Sequence, residues 1–137
     1  MKKQVVFFQG GGGQEDHLAD APMVQSLQSS LGPSYEVHYP LLVNEPLPDF
    51  GRMSQIGHEL LLLRNEPVLA GHSLGASMLL KYLSENTVAI KPAGIFLIAT
   101  PFWNGDADWV AGLKLKDDFA LHLPAHVPIY MYHCTDD

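Results

Sequence analysis

The chain has 137 residues, of which 47% are hydrophobic and 17% charged, and its formal net charge is −7. This length and composition suit one globular domain with a real core and exclude a disordered segment. The acidity excludes a general electrostatic attraction for nucleic acid or an anionic membrane, so the expected partner is a small neutral molecule or another protein.

The single cysteine, Cys134, excludes an internal disulfide framework of the secreted kind. Behind Met1-Lys2-Lys3 the apolar run is only Val5-Val6-Phe7-Phe8, followed by Gln9 and four glycines. A secretory signal needs an apolar region of about 7–15 residues. No stretch approaches the roughly 20 apolar residues of a membrane helix. The expected compartment is the cytoplasm.

Short apolar runs alternate with longer amphipathic ones. Val5–Phe8 reads as a buried strand. Leu18–Leu31 reads as a helix, with Met23, Val24, Leu27 and Leu31 on one face, Pro22 near its first turn, and Gly32-Pro33 ending it. Tyr35–Tyr39 is a second strand. Residues 40–51 hold three prolines and Gly51, and form a loop. Met53–Arg64 is a helix with Ile56, Leu60 and Leu63 aligned. Pro67–Ala70 is a third strand, and Leu74–Leu83 the helix after it. Ala93–Ala99 is a nearly continuous apolar run, as in a central strand covered on both sides. Residues 101–113 are a loop carrying Trp103 and Trp109, Leu115–Leu121 a short helix, and Pro128–Tyr132 the last strand. No repeat or linker divides the chain. The expected architecture is α/β: a mostly parallel sheet with helices on both faces.

The motif that carries chemistry is Gly71-His72-Ser73-Leu74-Gly75, between the third strand and the helix that follows. A serine hydroxyl is a weak nucleophile and needs a base and a site for the oxyanion. Gly-x-Ser-x-Gly places the serine on a sharp strand-to-helix turn, where side chains at the flanking positions would collide with backbone. The helix N-terminus behind it favours negative charge. Ser73 is therefore the candidate nucleophile. Leu74, the residue after it, supplies one oxyanion N–H, and the early loop Gly10–Gly13 a second. Gly11 is the candidate there, with its neighbours as alternatives. Phosphate binding fits these glycines poorly. Gly-x-Gly-x-x-Gly would need glycine where Glu15 and Asp16 stand, and no Gly-Lys-Ser/Thr is present.

The acid of a triad follows a late strand, and Asp136 and Asp137 do so. No residue follows Asp137 to supply the histidine in that order. Of the seven histidines, His72 adjoins the nucleophile with its side chain turned away. His122 and His126 are separated by Pro124, which breaks the helix that would align them on a metal. His133 neighbours the acid on the last strand, His17 is a candidate pocket residue, and His38 and His58 are surface or packing residues. None is assigned as the base. No metal or cofactor is expected. Phe102, Trp103 and Trp109 either line an acyl pocket or form a small satellite core.

Three segments together carry a family resemblance: Phe7-Phe8-Gln9-Gly10-Gly11-Gly12-Gly13, Gly71-His72-Ser73-Leu74-Gly75-Ala76 and Thr135-Asp136-Asp137. The chain resembles the small serine hydrolases of the α/β-hydrolase superfamily, of the retinoblastoma-binding protein nine and YdeN-like type. The resemblance implies the compact form of that fold, without the first two strands of larger hydrolases. It implies Ser73 as nucleophile, Leu74 and the glycine loop as oxyanion donors, and Asp137 as the acid. That family also carries a further helix, strand and helix, with its histidine in the loop after the strand. By that comparison the chain resembles a C-terminally truncated hydrolase, whose last strand would be left as an apolar edge open to pairing with a second copy. The expected function is hydrolysis of small carboxylic esters through an acyl-enzyme at Ser73. The alternative is a non-catalytic binding module on the same fold, or an inactive fragment of it.

Overall fold

The computed structural model describes residues 2–134, so Asp137, together with Thr135 and Asp136, lies outside the described residues. Five strands form one parallel sheet: β1 (Lys3–Phe8), β2 (Tyr35–His38), β3 (Val68–His72), β4 (Gly94–Ile98) and β5 (Ile129–Tyr132). Their order is β2-β1-β3-β4-β5. Among the described residues three α-helices make the first three connections, α1 (Gln14–Leu31), α2 (Arg52–Leu61) and α3 (Leu74–Glu85), and two 3₁₀ turns lie between β4 and β5. The molecule is α/β with helices on both faces of the sheet, as the alternation of runs predicts.

Strand register sorts the side chains. Val6 and Phe8 of β1, Leu69 of β3, and Ile95 and Leu97 of β4 point to one face. There they pack with Ile56 and Leu60 of α2 and with Met78, Leu79 and Leu83 of α3, forming the main core. Phe7 and Ala70 point to the other face and pack with Val24 of α1, flanked by Met23 and Leu27. Along that second face one register row reads Phe7, Ala70, Phe96, Tyr130. The first two are buried beneath α1, whereas Phe96 is 41% exposed and Tyr130 55%. The two stack at 4.9 Å between ring centroids. An apolar groove of about 810 Å³ runs here between α1 and the uncovered strands, lined by Met23, Leu27, Phe96 and Tyr130 among others. Among the described residues β5 is an edge strand.

Several element boundaries differ from expectation. Helix α1 begins at Gln14 rather than Leu18, because its first turn is polar and shows no apolar period. The Gly13 carbonyl accepts the His17 N–H at 2.9 Å, and Glu15 and Asp16 place negative charge at the positive end of the helix. Pro22 therefore lies in the helix interior, not near its start. Helix α2 ends three residues early, where Leu62 and Leu63 donate to carbonyls only three residues back and tighten the last turn. Residues 115–121 do not form the expected α-helix; a 3₁₀ turn covers Phe119–His122 instead. The strand ending at Ala70 in the sequence reading runs on to His72, since β4 continues to pair with it. No helix among the described residues is long and apolar enough to cross a membrane.

Leu79 is fully buried between the sheet and α2. Truncating it to alanine should cost about 2–5 kcal/mol. Leu61→Ala, at a side chain 80% exposed, should change stability by no more than about 0.5 kcal/mol. Urea denaturation followed by circular dichroism checks both; equal effects would refute this assignment of the core.

Candidate active site at the nucleophile turn

The chain leaves β1 toward β2 on one side and leaves β3 toward β4 on the other. The C-terminal ends of β1 and β3 therefore flank the point where the winding reverses. In open parallel sheets that crevice is where ligands bind. The segments emerging there are Gly10–Gly13 after β1 and Ser73 after β3.

Ser73 has φ 53° and ψ −117°, a conformation that non-glycine residues rarely adopt. Such geometry costs roughly 1–3 kcal/mol and persists only where the surroundings impose it. Here they do. The Ser73 N–H donates to the Ile98 carbonyl at 2.9 Å, and the Ser73 carbonyl accepts the Ser77 N–H at 3.0 Å as the first bond of α3. A Cβ at Gly71 would lie 2.8 Å from the Ala76 nitrogen. One at Gly75 would overlap the carbonyl oxygens of Phe8 and Gln9. The motif's glycines thus let α3 start directly against the end of β1. Ser73 itself is half-buried.

The glycine loop is held by side chains from four directions. Gln9 is fully buried: its Nε2 donates to the carbonyls of Gly13 and Leu42, and its Oε1 accepts the Leu42 N–H. Asp16 accepts the Gly12 N–H at 2.7 Å. Asp20 accepts the Gly10 N–H at 2.9 Å. Arg52, also fully buried, donates to the carbonyls of Gly11 at 2.7 Å and Val43 at 2.8 Å, and to Asn44 Oδ1. Burial lowers the Arg52 pKa, while Asp49, Asp16 and Glu45 act in the opposite direction. Gly11 adopts φ 69°. Among the described residues no hydrogen bond takes up the N–H of Gly11 or of Leu74, the two groups the sequence nominates as oxyanion donors.

The histidines sort clearly. His72 Nδ1 lies 2.9 Å from Asp20 Oδ2. His17 stacks on the Tyr39 ring at 3.9 Å between centroids, and its carbonyl accepts the Tyr39 hydroxyl. His122 pairs with Asp118 one helical turn away. His58 and His133 are exposed. Among the described residues no group of three His, Cys, Asp or Glu is placed to hold a metal ion. Trp103 packs against the main core and donates to Ser77 Oγ at 3.0 Å, while Phe102 and Trp109 stay largely exposed. The tryptophans meet edge to face at 5.8 Å.

Gln9, Asp20 and Arg52 escape the sequence reading, although two of them leave a signal. Asp20 stands four residues before Val24, on the apolar stripe of α1, where a carboxylate needs a partner. Arg52 opens α2, the helix end that repels cations, so its charge must be used elsewhere. Gln9 gives none, because its partner Leu42 is 33 residues distant.

Two outcomes follow. Ser73→Gly should be more stable than Ser73→Ala by about 1 kcal/mol, since glycine alone relieves the positive φ; equal denaturation midpoints would mean the turn is unstrained. Burial, and then the charge of Asp20, push the Tyr39 phenol up to about 12. A raised pKa favours the protonated, folded form. That contribution is complete below about pH 10 and is lost as the pH climbs toward 12. Alkaline denaturation should show this loss, and Tyr39→Phe should remove it. No protein-family model matches the chain, and no curated protein sequence matches it.

Proposed function

We propose that the chain is a serine hydrolase-type domain of the α/β-hydrolase superfamily, with Ser73 as nucleophile and small carboxylic esters as substrates. The observation that carries this reading is the Ser73 backbone. A strained φ of 53° is maintained at a strand-to-helix turn that faces a glycine loop across the point where the sheet reverses its winding. Strain of this kind clusters at functional sites.

In this reading Ser73 Oγ attacks the ester carbonyl carbon and its proton passes to a general base. The carbonyl oxygen becomes an oxyanion within reach of the Gly11 and Leu74 N–H groups. Collapse of the tetrahedral intermediate breaks the ester C–O bond; the protonated base returns its proton to the leaving oxygen, the alcohol departs and the acyl group stays on Ser73. Water then hydrolyses the acyl-enzyme. Asp137 is the acid that the family resemblance nominates. His72 is held by Asp20, and His17 lies against Tyr39, so neither is assigned as the base.

The engagement of His72 by Asp20 favours a second reading, a binding module that keeps the turn and the glycine loop without turnover. Intact mass after treatment with a fluorophosphonate separates the two. The hydrolase reading expects one adduct, absent in Ser73→Ala. A folded protein that gains no mass would leave the binding module.

A further inference from the structure

We propose that Asp20 is a positioning residue that fastens the oxyanion loop to the nucleophile turn. One oxygen of its carboxylate, Oδ2, accepts the Gly10 N–H at 2.9 Å and lies 2.9 Å from His72 Nδ1. Gly10 immediately precedes the candidate donor Gly11, and His72 immediately precedes Ser73. A single atom on α1 therefore joins the two segments that must act together.

Their separation is what an oxyanion site depends on. Its two donors belong to chain segments more than 60 residues apart, Gly11 and Leu74, and no covalent link sets their spacing. Donors must lie about 2.7–3.1 Å from the oxyanion. The other braces on the loop do not serve this purpose. Gln9 and Arg52 tie it to residues 42–44, and Asp16 ties it to the first turn of α1. Asp20 reaches both the loop and the turn. It is 7% exposed, so its two hydrogen bonds are shielded from water. A carboxylate only accepts, so His72 carries its proton on Nδ1. The contact is tight: a Cβ at Gly10 would stand 2.9 Å from His72 Nδ1 and 3.1 Å from Ser73 Cβ. The identity of His72, unexplained by the turn geometry alone, follows from this role.

The fastening is a property of the fold; its catalytic consequence rests on the hydrolase reading, and the test separates them. Amide hydrogen exchange is measured by mass spectrometry on peptides covering Gly10–Gly13 and Ser73–Leu74. In Asp20→Ala and in His72→Phe, exchange should accelerate in both segments together, by about tenfold or more. His72→Asn, which keeps an N–H near the Nδ1 position, should restore protection, and this pair carries the test if Asp20→Ala fails to fold. Fluorophosphonate labelling of the same folded variants should slow by about 100-fold in His72→Phe, with the endpoint still one adduct and with recovery in His72→Asn. Unchanged exchange in His72→Phe, or a change confined to one segment, would overturn the fastening even where Ser73 labels. Paired acceleration in a protein that never labels would support the fastening and sink the hydrolase reading.

Discussion

The start of α3 lies directly against the end of β1, where a Cβ at Gly75 would overlap the carbonyls of Phe8 and Gln9. Any side chain at that glycine would push the helix away. Because it is absent, α3 can begin one residue after Ser73 and still bury Met78, Leu79 and Leu83 against the sheet. The burial of that helix is what maintains Ser73 in its unfavourable φ. Strain at one residue is thus balanced by packing over three helical turns.

The same approach organises the glycine loop. With α3 occupying one face of the sheet at this point, the segment leaving β1 must turn to the other face and enter α1. The turn has too few residues to satisfy its own polar groups, and side chains from elsewhere do so. Gln9 and Arg52 are fully buried polar groups that would be costly without partners; Gln9 Nε2 and the two terminal nitrogens of Arg52 donate to backbone carbonyls of this loop and of residues 42–44, while Arg52 Nε has no partner among the described residues. None of these contacts takes up the N–H of Gly11 or of Leu74.

The two faces of the sheet are unequal. The face beneath α2 and α3 holds the larger core, and the face beneath α1 holds a smaller one, where Phe7, Val24 and Ala70 are flanked by Val37, Tyr39 and Ile98. The row from Phe7 to Tyr130 passes from buried to exposed within four strands. The apolar run of β4 reads as a strand covered on both sides, yet Phe96 on this face is 41% exposed.

What the sequence determined by itself was local. The five strands and three α-helices among the described residues were legible as apolar runs or helical periods, although residues 115–121 read as a helix that does not form. Gly71-His72-Ser73-Leu74-Gly75 announced its turn because a five-residue backbone constraint is written in five adjacent residues. Boundaries shifted where polar first turns, as at Gln14–Asp16, carry no period, and where strand pairing rather than propensity extended β3 to His72. Strand order was decided only in three dimensions. Nothing in the chain states that β1 lies between β2 and β3, and that placement is what brings Gly10–Gly13 to Ser73. The same holds for Gln9 with Leu42, Gly11 with Arg52, and Asp20 with His72, whose partners are 33, 41 and 52 residues apart. Hydrogen bonds at such separations leave no periodic trace in a sequence, because the residues between them are free to vary in number and kind. They exist only once the sheet has brought the two segments together.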